Sequence, residues 1–337
     1  MIKRLGGSTI AFSDMPALYG FASVVGKKES EGPLREDFDK IFYDMHVGQD
    51  TWEKAESTLQ KEALSIALNK SHLGSDDIGF LFAGDLLNQC ISSSYGLKDY
   101  NIPYLGQYGA CSTMVQGLIM ACMSVESGAS NVSACVTSSH FCSAERQYRF
   151  PLDYGGQRPE SSQRTVTGAG CCIVSNDKTK SVPRVKYATV GKIVDYGVND
   201  QNNMGAAMAP AGADTLIRYF KDTKTRPEDY DMIYTGDLGK IGSNLLYELL
   251  LKEGYDIRCN HKDCGVMIYA KGDMDVHSGG SGCGCCASVL CGHILRNVAN
   301  REQSNILVMA TGALLSPTSI QQKETIPSIA HLVNIVM

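Results

Sequence analysis

The sequence predicts an α/β protein made of two duplicated βαβαβ halves, and three observations carry that expectation. The segment Asp-Asp-Ile-Gly-Phe-Leu-Phe-Ala-Gly-Asp-Leu at 76–86 returns 152 residues later, at 228–238, as Glu-Asp-Tyr-Asp-Met-Ile-Tyr-Thr-Gly-Asp-Leu. At an offset of 174 residues, 132–137 falls on 306–311 and the small-residue run 109–113 falls on 283–287. Throughout, short runs rich in Ile, Val and Phe alternate with stretches of helical periodicity, the pattern of strands joined by helices. A repeat of this length predicts an internal pseudo-two-fold and a site where the halves meet.

In the first half a helix starts near Asp50, a capping residue followed three positions on by Glu53, and carries Trp52, Leu59, Ala63, Ile66 and Ala67 on one face. Gly74 leads from it into a strand at 80–83. Its counterpart in the second half is a helix at 213–220, preceded by a loop at 199–213 that covers a pocket mouth or packs as apolar surface. Pro227 then marks the turn before a strand at 232–235. The helices that open after Gly109 and at Cys283 begin with small residues, which lets two helices approach closely in a layered fold. The polar stretch 175–183 is the expected seam, dividing the chain into halves 1–178 and 179–337.

Composition narrows the class. With 337 residues, 43% hydrophobic and 20% charged, the chain can bury large cores. A net charge of -5 without a long basic run argues against nucleic acid as a partner, because phosphate binding needs clustered Lys and Arg. No signal-length apolar stretch follows Lys3 and Arg4, and no segment is apolar enough to span a bilayer, so a soluble chain is expected. The thirteen cysteines lie mostly in apolar or glycine-rich runs and read as reduced, packed thiols. The set Cys259, His261, Cys264 and the cysteines of 283–286 lacks regular zinc spacing.

Cys111 is the first chemical candidate. It opens a helix that continues through Met114, Leu118 and Ile119, where unpaired N–H groups and the positive dipole end lower a thiol's pKa and attract anions. It reads as a nucleophile, an anion contact or a buried structural thiol. Asp85 and Asp237, the repeated corner acids, would face the same region or cap their own corners. His140 and His261 are candidate bases for Cys111, or loop residues satisfied locally. The insertion at 138–167 adds Arg146, Arg149, Arg158, Arg164, Tyr148 and Tyr154, suited to a carboxylate-bearing aromatic ligand, to a subunit interface or to structural ion pairs.

These motifs also carry a resemblance. The Cys at the start of the first half's central helix and Thr167-Gly168-Ala169-Gly170-Cys171-Cys172 resemble the thiolase and ketoacyl synthase superfamily. Asp44-Met45-His46, Ala83-Gly84-Asp85-Leu86-Leu87-Asn88-Gln89, Tyr108-Gly109-Ala110-Cys111-Ser112-Thr113, Ala144-Glu145-Arg146-Gln147, Tyr154-Gly155-Gly156-Gln157 and Thr311-Gly312-Ala313-Leu314-Leu315-Ser316-Pro317 resemble the stage V sporulation protein AD family within it. The resemblance implies a thiolase-like fold, with the duplicated βαβαβ halves in a five-layered α-β-α-β-α arrangement. It implies binding of dipicolinic acid, with calcium as a companion ion, for dipicolinate uptake into the forespore and release on germination. It further implies membrane-embedded stage V A proteins as partners, a peripheral place at the spore inner membrane and, by analogy, a homodimer. The ligand-binding candidates are Asp85, Cys111, His140, Asp237, His261 and Cys285, with calcium contacts at Asp85 and Asp237 and no other cofactor.

Condensing enzymes of the superfamily add a His and a His or Asn to the cysteine. Aligned on the strand at 231–235, the first of these positions holds Gly236-Asp237, and the later Asn-bearing turn reads Gly280-Ser281-Gly282. The resemblance therefore implies a binding protein, with an acyl-CoA-type condensing enzyme or acyltransferase using Cys111 as the alternative.

Overall fold

The computed structural model describes residues 1–148, 158–270, 272 and 276–337. Strands β1 (Ala17–Gly26), β2 (Phe80–Gly84), β3 (Tyr104–Gln107), β4 (Val132–Ser139) and β5 (Gly168–Ser175) line up in the order β3-β2-β4-β5-β1. Strands β6 (Arg184–Thr189), β7 (Met232–Thr235), β8 (His261–Asp263), β9 (Asn305–Ala313) and β10 (Ser328–Val336) repeat it as β8-β7-β9-β10-β6. In each set the three strands farthest from the junction are parallel and the next runs antiparallel, so the duplication extends to strand direction. The two sets meet edge to edge where Arg184 of β6 pairs with Ala17 of β1.

The helices form the other layers. α1 (Trp52–Ser71) packs on β1, β4 and β5 from outside. α2 (Thr113–Glu126) lies between the two sets of strands and touches β2, β4 and β5 on one side and β9 and β10 on the other. α3 (Met204–Thr223) and α4 (Gly239–Lys252) pair with each other over the second set, α3 against β9 and β10. α5 (Cys283–Val289) lies beside α2 at the centre and packs on β1, β4 and β5 of the other half.

Two sequence expectations shift. α1 is capped by Thr51, whose hydroxyl accepts from the Lys54 amide at 3.3 Å, while the Asp50 carboxylate reaches the Lys54 ammonium at 3.7 Å. α3 starts at Met204 and takes up most of the expected loop. Asn203 caps it, accepting from the Ala206 amide at 3.3 Å, and the Ala-rich run favours helix strongly enough to hold Pro210 inside. That start also lets α3 meet α4 closely, since a Cβ on Gly205 would lie 2.6 Å from the Leu238 carbonyl.

Contact between α5 and the first half's strands is closer still. A Cβ on Gly170 would fall 2.2 Å from the Ala287 carbonyl, backbone that cannot move aside, and one on Gly284 would fall 2.4 Å from the Gly168 carbonyl. Gly170→Ala is therefore expected to cost roughly 1–3 kcal/mol in chemical denaturation, the usual range for overpacking. Gly7→Ala, with nothing within 4 Å of the added methyl, is the control and should leave stability unchanged. Equal stabilities for the two variants would contradict this packing.

Candidate functional site

Cys111 lies in a short helical turn, Ala110–Ser112, that joins β3 to α2. Ala110 takes φ of 51°, a left-handed backbone that a residue with a Cβ adopts only when its surroundings hold it there. This turn places the Cys111 side chain at the seam between the halves, 5% exposed, against a cavity of about 60 Å³. The wall is apolar at Leu86, Ala110, Ala144, Met204, Ala313 and Leu315. Its polar groups are Cys111, Tyr148, Thr165, Gln201, Ser281 and Glu145, the last paired with Arg158 at 3.1 Å.

Asp237 lies behind the thiol. It is fully buried and accepts from Thr311 Oγ1 at 3.0 Å and the Gly282 amide at 3.1 Å. Gln163 Nε2 holds the corner to the following turn by donating to the carbonyls of Asp237 at 2.6 Å and Gly280 at 3.0 Å. Burial pushes the Asp237 carboxyl up to about 7, against the stabilising donors. Burial first, and the Asp237 charge second, push the Cys111 thiol well above its ordinary value. The helix-start effect expected to activate this cysteine is outweighed, and the sulfur stays protonated at neutral pH.

The other candidates do not converge on this cavity. Asp85 accepts from the Leu87 amide at 2.9 Å, the Ser93 amide at 2.8 Å and Ser93 Oγ at 2.6 Å, so both oxygens cap its own corner. His140 accepts from the Cys142 amide at Nδ1 (3.1 Å), which leaves Nε2–H to donate to the Met45 carbonyl at 2.9 Å. Thr235 donates its hydroxyl hydrogen to Asp263 at 2.6 Å, so it accepts from His261 Nε2 at 2.9 Å, and His261 Nδ1 accepts from Tyr247 at 2.7 Å. Burial lowers both rings to about 4, so both are neutral, locally satisfied imidazoles rather than bases for Cys111. Cys285 turns to the Gly236 carbonyl at 3.5 Å, while Cys283, two residues earlier, packs in one cluster with Leu86, Cys111 and Ala144.

In the insertion, Tyr148 donates to the Leu86 carbonyl, Arg146 pairs with Glu53, and Arg164 lies 3.9 Å over the Phe141 ring. Arg149 and Tyr154 lie outside the described residues. Cys259 is exposed and Cys264 buried, and among the described residues no three His, Cys, Asp or Glu side chains converge as metal ligands. No helix among the described residues is long and apolar enough to cross a membrane. Sequence reasoning missed Thr311 and Gln163 as supports of Asp237. The 174-residue offset pairs Thr311 with Thr137, whose hydroxyl likewise reaches the seam, bonding the Cys283 carbonyl at 3.4 Å.

A protonated thiol predicts slow chemistry. Iodoacetamide should alkylate Cys111 far more slowly than exposed Cys259 at neutral pH, as read by peptide mass spectrometry, and Asp237→Asn should speed it by removing the opposing charge. Labelling of Cys111 in the unchanged protein at the rate of Cys259 would contradict this electrostatic picture.

Comparison with known proteins gives the family and the fold. The sequence profile of stage V sporulation protein AD matches residues 6–336. The chain is 44% identical to stage V sporulation protein AD of Bacillus subtilis strain 168 over 330 residues, covering 98% of this chain and 97% of that one. In fold it is similar to a cysteine-to-alanine variant of Xanthomonas campestris OleA, with a TM-score of 0.65 at 13% identity over 97% of this chain and 98% of that one. It is also similar to the cerulenin-bound form of OleA, with a TM-score of 0.63 at 13% identity, covering 99% and 100%. The chain belongs to the stage V sporulation protein AD family and has a thiolase-like fold.

Proposed function

We propose that the Cys111 cavity binds dipicolinic acid, and that the chain serves dipicolinate uptake into the forespore and its release on germination. The observation that carries this reading is the buried Asp237, held by Thr311 and the Gly282 amide at the corner where thioester chemistry requires an imidazole, its charge opposing ionisation of the Cys111 thiol. What remains at the seam is a set of neutral polar groups, the thiol with Ser281, Thr165 and Gln201, between apolar walls at Leu86, Met204 and Leu315. A flat ring bearing carboxylates suits such a slot. At about 60 Å³ the cavity is far smaller than ordinary ligand clefts, so a ring-sized occupant enters by displacing the rim at Gln201 and Met204.

Calcium enters this reading as the ligand's own chelated ion. A neutral chelate avoids setting two further negative charges against Glu145 and Asp237, and both oxygens of Asp85 and of Asp237 already serve protein donors. The membrane-embedded stage V A proteins are the proposed partners, with the chain peripheral at the spore inner membrane. A second copy is proposed on the open edge of β3, where Tyr104 (38%), Leu105 (49%) and Tyr108 (49%) are exposed beside unpaired strand backbone.

Calorimetry with dipicolinate, alone and with calcium, tests the ligand. Binding is expected in the unchanged protein, weakened by roughly tenfold or more in Ala144→Leu, which fills the cavity. No heat at millimolar dipicolinate, or undiminished binding by Ala144→Leu, would sink the reading, as would a mass adduct on Cys111 after incubation with acyl-CoA. For the second copy, light scattering should give a dimer that Leu105→Arg converts to a monomer. A monomeric unchanged chain would remove that part of the proposal alone.

A further inference from the structure

We propose that Glu56 holds a proton that locks one wall of the Cys111 cavity, and that losing this proton on the alkaline side loosens that wall. Glu56 sits on α1, 1% exposed, with no salt bridge among the described residues. Its Oε1 faces Ser138 Oγ at 2.9 Å and its Oε2 faces Ser143 Oγ at 2.7 Å. Ser143 Oγ also lies 3.0 Å from the His140 carbonyl, and a hydroxyl has one hydrogen to give. If Glu56 were ionised, Ser143 could serve the carboxylate or the carbonyl, not both. With a proton on Oε2, Glu56 donates to Ser143, Ser143 donates to His140, and each contact carries a hydrogen. Ser138 meanwhile donates to Oε1 and accepts from Gln60 Nε2 at 2.8 Å.

The neighbouring acid has the opposite surroundings. Two of the three donors to Asp85 are backbone amides, at Leu87 and Ser93, which cannot reverse direction as a hydroxyl can. Asp85 is therefore the ionised member of the pair, and its charge opposes ionisation of Glu56. Burial and the Asp85 charge push Glu56 up to about 8. The other titratable groups around the pair are Cys283 from α5, Cys90 and Tyr104 beside Asp85, and His140, whose ring turns to Met45. Burial raises the two thiols and the phenol, so all three stay neutral across this range. Glu53, one turn earlier on α1, pairs with Arg146.

The consequence reaches the cavity because Ser143 lies in the first turn of the helix Phe141–Tyr148, which supplies Ala144, Glu145 and Tyr148 to the wall. Deprotonation leaves two buried charges side by side and turns the Ser143 hydroxyl from the His140 carbonyl to Glu56. A carboxyl whose folded pKa lies above its ordinary 4.5 favours the folded state at low pH. That contribution declines as pH rises from about 4.5 and is gone above about 8.

Infrared difference spectroscopy on the full chain tests the proton directly. Protonated-carboxyl absorption should be lost between about pH 7 and about pH 9 in the unchanged protein, and Glu56→Gln should remove the Glu56 part of that loss, leaving the Asp237 part that Asp237→Asn identifies. Ser143→Ala removes the proton's acceptor and should shift the Glu56 band. Hydrogen exchange of amides 141–148, corrected for intrinsic rates, should quicken by roughly tenfold across the same window, and stay flat in Glu56→Gln, whose carboxamide keeps one donor and one acceptor. The proposal is overturned if Glu56→Gln removes no part of the titrating band, if Ser143→Ala leaves the Glu56 band in place, or if Glu56→Gln keeps the pH response of amides 141–148. None of these outcomes depends on which ligand fills the cavity.

Discussion

The closeness of α5 to the first half's strands is the constraint on which the seam depends. Gly170 and Gly284 bring helix backbone against strand backbone with no room for a methyl group at either position. That approach sets the turn before α5 so that the Gly282 amide points at Asp237 and Ser281 reaches the cavity. It also brings Cys283 against Cys111, with its thiol donating to the Ser138 carbonyl at 2.9 Å. The second half thus completes a site whose cysteine belongs to the first, as a duplicated fold requires of a site at its pseudo-axis.

At that seam, one change of residue type decides the electrostatics. An imidazole beside Cys111 would take the thiol's hydrogen and leave a thiolate paired with a cation. Asp237 does the reverse, opposing any negative charge on sulfur. The helix start at Cys111 cannot compensate, because its favourable dipole acts on a group buried beside a carboxyl. A pocket organised in this way retains shape, donors and burial while losing the means to activate its nucleophile.

Much of this was legible in the sequence wherever a periodic signal existed. Strand β7 falls at 232–235 as predicted, and β2, β4 and β9 extend the predicted strands by one or two residues at an end. The place of Asp237 was legible too, through the Gly-Asp-Leu repeat. The start of α3 was not, because 199–213 read as a loop while Asn203 and the alanines supply enough helix preference to start the helix at Met204 and hold Pro210 inside. Nor could sequence reveal that His140 and His261 are spent on Met45, Cys142, Tyr247 and Thr235, since those partners are set by tertiary packing. The repeat pointed to Cys285 rather than Cys283 because the first copy inserts a tight turn, Ala110–Ser112, ahead of its central helix, while α5 starts directly at Cys283.

In the proposed function the Cys111–Asp237 seam holds a small carboxylate-bearing ring without reacting with it. A crystal structure of the full chain grown with dipicolinate is its most direct test. The account predicts the ring between Leu86 and Leu315, its carboxylates within hydrogen-bond distance of Ser281 and the Cys111 thiol, and the Gln201–Met204 rim displaced. Dipicolinate bound elsewhere on the chain, with this cavity unchanged, would contradict it.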